Sequence, residues 1–151
     1  MDAERLRLAI AESCLLLDEE DFAGYLALFA ADATYRITAY SPELRREMVW
    51  LEQDRTGFEN LLNGIENHVR MQGRFFRHPV LARYSISDDG ATAETLSTVT
   101  VYFTDHAGTT KLYCCCRYED SFVAIEGNVL IRQRIARLET RDLGSGSHIP
   151  I

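Results

Sequence analysis

The sequence predicts a single α+β domain spanning residues 1–151, a cone in which three N-terminal helices pack on a strongly curved, mostly antiparallel sheet. Three observations predict it. Apolar residues recur at three- and four-residue steps through the first half, and the period changes to extended runs after Gly73. Turn-forming clusters at Asp88-Asp89-Gly90, Asp105-His106-Ala107-Gly108 and Glu126-Gly127-Asn128 divide the second half into consecutive strands. With 151 residues and 46% hydrophobic content the chain can enclose one sizeable core, and it is too short for two ordinary domains.

Each element follows from local chemistry. Leu6, Ile10, Cys14 and Leu17 share one face of a first helix over residues 3–17. Asp21 reads as the N-cap of a short second helix whose apolar face is Phe22, Tyr25, Leu26 and Phe29. Asp32 is a turn residue, and Ala33 to Thr38 reads as a strand. The charged stretch from Tyr40 to Thr56, with Ser41-Pro42 and the lone Trp50, is expected to be a loop with a helical turn. Phe58, Leu61, Leu62, Ile65 and Val69 form the buried stripe of a third helix from Gly57 to Met71, ended by Gly73.

An extended run begins at His78-Pro79 and continues to Ser87, and three strands follow, from Ala91 to Thr104, Thr109 to Ile125 and Val129 to Arg141. Laid straight at ~3.3 Å per residue these three would each reach about 40 Å, roughly twice the usual strand length. Strands this long coil and bulge, and the helices fill the concave side. Only Gly144-Ser145-Gly146-Ser147 reads as flexible.

Composition excludes several functions. A formal charge of −7 and no basic stripe argue against nucleic-acid binding. No apolar run approaches the ~20 residues that cross a bilayer, and charges interrupt residues 1–17, so a cytoplasmic protein is expected. Cys114, Cys115 and Cys116 are contiguous and Cys14 stands alone, which is neither a disulfide framework nor zinc spacing; they read as small apolar side chains in a strand.

No cofactor or metal site is expected in this chain. Its histidines, His68, His78, His106 and His148, lack the spacing of a Rieske cluster or of a mononuclear iron site, and no glycine loop cradles phosphate. The acidic run from Asp18 to Asp21 is too compressed to wrap a hard cation and reads as a capped helix connection.

The strongest polar candidate is Arg77-His78, which follows Phe75-Phe76. It reads either as an interface hydrogen-bonding pair or as catalytic, with His78 a general base beside Asp32 or Asp18 and aided by Tyr35. The plainer alternative is a satisfied histidine at a strand end. Arg132, Arg134 and Arg137, with Glu139 and Arg141, are costly on a buried strand; they read either as a polar subunit interface or as a solvated sheet face. Ile149 and Ile151 bracket Pro150 in an unusually apolar tail that fits docking on a neighbouring surface.

The run Asp21-Phe22-Ala23-Gly24-Tyr25-Leu26-Ala27-Leu28-Phe29, then Ala31-Asp32-Ala33-Thr34-Tyr35-Arg36-Ile37, resembles the opening of the nuclear transport factor 2-like superfamily. Three further segments are similar to the small, or beta, subunit of Rieske-type aromatic-ring-hydroxylating dioxygenases. They are Arg74-Phe75-Phe76-Arg77-His78-Pro79-Val80, Arg117-Tyr118-Glu119-Asp120, and the stretch from Arg132 to Thr140. The first is shared with catalytic SnoaL-like cyclases and scytalone dehydratase.

That resemblance implies a structural, non-catalytic subunit, with Arg77, His78, Arg132, Arg134, Ile149 and Ile151 as interface candidates. Its partner would be a large alpha subunit, in a hexamer of three large and three small chains. The large subunit would carry the Rieske [2Fe-2S] cluster and the mononuclear iron, with electrons supplied by a reductase or ferredoxin. The alternative it leaves open is a stand-alone hydro-lyase or isomerase acting on a cyclic hydrophobic substrate with His78, Asp32 and Tyr35.

Overall fold

In the computed structural model, which describes residues 1–144, 146 and 149–151, three short helices lie on the concave side of one six-stranded sheet. Helix α1 (Ala3–Asp18) starts at Asp2, whose side chain accepts from the Arg5 N–H at 2.9 Å. Helix α2 (Phe22–Ala27) starts at Asp21 in the same way, with the Gly24 N–H as donor. These caps satisfy backbone donors that the first turn leaves open.

Strand β1 (Phe29–Ser41) turns back into β2 (Arg46–Asp54), where a loop was expected. The reason is position: β2 is an edge strand, and charge on both of its faces hides the alternation while keeping the edge from pairing with other chains. Asp54 then caps α3 (Arg55–Asn63), accepting from the Gly57 N–H.

Helix α3 is shorter than its apolar stripe suggests. It ends at Gly64, a single 3₁₀ turn (Ile65–Asn67) follows, and Val69, expected on the buried face, is exposed. Gly73 opens β3 (Gly73–Ile86) instead of closing a helix. A Cβ there would stand 2.3 Å from the Thr104 carbonyl oxygen and 2.5 Å from the Phe103 ring, so only glycine lets the ladder begin at that point.

Strands β4 (Thr92–Asp105), β5 (Thr110–Ile125) and β6 (Asn128–Leu138) continue from β3 as an antiparallel meander. The strand order is β2-β1-β6-β5-β4-β3, with β1 and β6 parallel. Register shifts interrupt every strand pair, between Leu81 and Arg83, Val101 and Tyr102, and Ser121 and Phe122 among others. Each adds local twist, which is how strands of 11 to 16 residues curl around the helices.

The core occupies the cone. Cys114 and Cys116 face inward and Cys115 points away, as alternation on one strand requires. Part of the run from Gly144 to Ser147, and His148, lie outside the described residues. Among the described residues no helix is long and apolar enough to cross a membrane.

Candidate functional site

Among the described residues the largest fully buried side chain is that of Arg134 on β6. Its Nε and Nη2 donate to the two Asp120 oxygens at 2.8 Å each, and its Nη1 donates to Ser13 Oγ at 2.9 Å. The guanidinium lies over the Tyr118 ring, 4.1 Å from its centroid. Burial is the largest single influence and opposes its charge, but the Asp120 carboxylate, through charge and hydrogen bonds, acts together with Tyr25 and Tyr118 to hold its pKa well above the usual arginine value. A buried guanidinium is tolerable only when paired this completely.

Aromatic rings occupy the rest of the interior. Tyr35 stacks on Phe58 with centroids 4.5 Å apart, and Tyr25, Phe29 and Phe58 meet edge to face at 5.2 to 5.9 Å. Burial raises the pKa of Tyr25, and those of Tyr35 and Tyr118 well above ordinary phenols, so all three remain neutral.

A second buried cation, Arg77, ties β3 to α1. Its Nη1 donates to Asp18 Oδ1 at 2.5 Å and its backbone N–H donates to Asp18 Oδ2 at 2.8 Å. Its Nη2 reaches the Pro150 carbonyl at 2.7 Å. The tail is thereby drawn inside, with Ile149 6% and Ile151 2% exposed.

The catalytic alternative required His78, Asp32 and Tyr35 to converge, and the structure keeps them apart. His78 is exposed and points away from the cone, because Arg77 takes the inward position at that point of the strand. Asp32 lies on the outer surface, where Arg132 grips it at 2.6 Å. Tyr35 is sealed inside. Asp18, the other carboxylate considered for that role, serves Arg77.

The interface candidates divide in the same manner. Arg132 and His78 are exposed, whereas Arg77, Arg134, Ile149 and Ile151 face the chain's own core. The expected arginine row is therefore split across two faces. Outside, Arg137 joins Glu119 and Glu47, and Arg141 joins Glu43, so the solvent-side cations meet carboxylates of their own chain.

Sequence reasoning missed three features. One is the Arg134–Asp120 pair, for which the only available signal was the Tyr118-Glu119-Asp120 run on the neighbouring strand. Another is an apolar hollow of about 350 Å³ at the cone mouth, between Trp50, Leu51 and Leu61 on one side and Ile149–Ile151 on the other. The third is a shallow groove between α1 and β3 where Leu8, Leu15 and Phe76 are exposed. Among the described residues no group of three or more His, Cys, Asp or Glu side chains is placed to hold a metal ion.

Comparison with known proteins adds to this geometry. The SnoaL-like domain family matches residues 2–135. The chain is 34% identical over 136 residues to the beta subunit of 2-aminobenzenesulfonate 2,3-dioxygenase from an Alcaligenes species, covering 90% of each chain. It is 33% identical to the hydroxylase beta subunit of methanesulfonate monooxygenase from Methylosulfonomonas methylovora, covering 99% of this chain and 87% of that one. Among solved structures, the beta subunit of a candidate aromatic-ring-hydroxylating dioxygenase from Novosphingobium aromaticivorans superposes with a TM-score of 0.79 at 18% identity. The match covers 98% and 95% of the two chains, and at that identity it speaks to fold alone.

Proposed function

The chain belongs to the SnoaL-like domain family, and we propose that within it the chain is the structural, non-catalytic small subunit of a multicomponent oxygenase, stabilising a catalytic large subunit. The observation that carries this reading is the filled cone. Tyr25, Tyr35, Phe58, Tyr118, Phe122 and Arg134 are all under 2% exposed, and Ile149–Ile151 occupies the remaining depth. An enzyme acting on a cyclic substrate needs an open cavity with polar groups converging on the reacting atoms. The hollow of about 350 Å³ at the mouth is lined by none of His78, Asp32 and Tyr35, and these three do not converge, which weighs against the stand-alone hydro-lyase or isomerase.

The two sequence relatives are beta subunits of oxygenases, and they cover nearly the whole chain. A large alpha subunit is accordingly the partner. We assign the finer picture as a proposal: three large and three small chains in the cytoplasm, with the Rieske [2Fe-2S] cluster and mononuclear iron in the large subunit and electrons from a reductase or ferredoxin. Both relatives are named for sulfonates, one aromatic and one not, so an organosulfonate is the substrate class we assign to the partner's site.

Exposed Leu8, Leu15 and Phe76, which line one groove, support association, since contiguous exposed apolar surface marks interaction sites. The test is expression with and without the large-subunit reading frame beside this gene. Co-purification through an interface of about 2,000 Å² or more is expected. A well-behaved monomer that never co-purifies would overturn the proposal.

A further inference from the structure

The outer face of the sheet divides by charge. Across β2, β1, β6 and β5 it carries ion pairs that satisfy one another: Arg36 with Glu52, Arg137 with Glu47 and Glu119, and Arg117 with Glu139. The corner formed by β3, β4 and the start of β5 carries no carboxylate, lysine or arginine. There Phe76 pairs with Tyr102 and Tyr102 with Leu112, and one step along the ladder His78 pairs with Thr100 and Thr100 with Cys115. Val80 and Thr98 complete it. Their chain neighbours Arg77, Val101 and Cys114 are buried, so these side chains point outward, and Phe76, Val80 and Leu112 are each more than half exposed.

The fold restricts what can cover this corner. At the free edge of β3 Asp18 accepts the Arg77 N–H at 2.8 Å and Pro79 has no N–H to offer, so addition of a further strand is blocked and a partner must dock through side chains. A second copy of the chain fits poorly. At ~4.8 Å between strands and ~3.3 Å per residue, three strands by five residues give a footprint on the order of 250 Å², far below the ~800 Å² per partner of a stable interface. Enlarging a symmetric contact would lay the ion-pair half of one chain of charge −7 against another. The apolar surface continues instead around the edge of β3, because Phe76 also lines the groove that holds Leu8 and Leu15 of α1. Its occupant has to reach both sides of that strand, which a flat copy of the same corner does not. The corner holds no counter-charge, so the surface laid on it is itself uncharged.

We propose that this corner, centred on His78 and Thr100, together with the groove beside α1, is where the oxygenase large subunit docks, clasping β3 with an uncharged, apolar surface. The inference rests on the small-subunit reading and assigns that assembly its place on the chain.

The test co-expresses the large subunit with the unaltered chain and with Phe76→Asp, Val80→Asp and, as control, Leu44→Asp, which is exposed in the turn between β1 and β2 at the far side of the sheet. The first two variants lower the co-purified yield about tenfold or more, while Leu44→Asp leaves it unchanged. All three isolated variants keep the Tm of the unaltered chain to within about 2 °C, since the replaced side chains are on the surface. Alkylation of Cys115 by iodoacetamide, followed by mass spectrometry and requiring no substitution, slows about tenfold or more in the assembly, because a covered thiol is out of reach. An unaltered chain that co-purifies while both variants also do so at full yield and Cys115 reacts at its free rate overturns the docking site and leaves the small-subunit reading standing. An unaltered chain that never co-purifies overturns both. An isolated chain that sediments as a dimer and is made monomeric by Phe76→Asp shows a second copy on the corner and overturns the proposal.

Discussion

The guanidinium of Arg134 and the carboxylate of Asp120 meet through two 2.8 Å hydrogen bonds on adjacent strands, and neither side chain reaches solvent. Removing one member leaves the other charged and unpaired in the core. Asp120→Ala is expected to cost about 3–5 kcal/mol in urea unfolding. The double variant Asp120→Leu with Arg134→Met is expected to recover much of that loss, because the cost lies in the orphaned charge. A single variant losing less than about 1 kcal/mol would show that water reaches the pair.

Why this pair was invisible in the sequence is a matter of register. Arg132 and Arg134 have the same parity and should share a face. In the β5–β6 ladder, however, Ser121 pairs with Gln133 and Phe122 with Ile131, so Arg132 is the extra residue of a bulge. That single residue sends Arg132 outward and Arg134 inward. The meander itself was legible because Asp88-Asp89-Gly90 and Glu126-Gly127-Asn128 are local signals, as is the cap Asp21. Strand β2 was not legible, since Arg46, Glu47 and Glu52 obscure its alternation and its pairing with β1 is set by neighbours outside the segment. The tail read as apolar, but whether it covers its own core or another chain depends on Arg77 and Tyr35, residues far away in sequence.

Thiol reactivity tests the placement of the cysteines on β5. Cys14, Cys114 and Cys116 are buried, and Cys115 is partly open to solvent. Titration of the native chain with an aromatic disulfide reagent is expected to modify only Cys115 quickly, with the other three reacting after denaturation. A hydrogen bond with Cys116 lowers the Cys114 pKa despite burial, but a thiolate that solvent cannot reach does not react. Two or more fast thiols in the native chain would contradict the inward face.

Alkaline stability follows from the buried phenols. Tyr25, Tyr35 and Tyr118, three of the seven tyrosines, have folded-state pKa values raised by burial above the unfolded value of about 10. Each therefore contributes stability that is complete below pH ~10 and is lost as pH rises toward the folded-state pKa, because only the unfolded chain releases the proton there. Absorbance at the phenolate band is expected to show these three ionising in one steep step that coincides with loss of far-UV circular dichroism. Gradual ionisation with the fold intact would mean that the cone admits solvent.

His78 and Tyr35 separate the subunit from the enzyme reading. In an acid–base enzyme, replacing either would depress the same turnover. Here one is exposed and the other is buried against the tail. His78→Ala is expected to change stability by less than about 0.5 kcal/mol. Tyr35→Phe leaves the Ile151 N–H and main-chain oxygen without their partner and is expected to cost about 1–3 kcal/mol. The purified unaltered chain should turn over no cyclic ketone or alcohol by dehydration or isomerisation. Turnover that His78→Ala abolishes, with stability unchanged, would place a reactive centre on the outer face of β3 and remove the basis for a purely structural subunit.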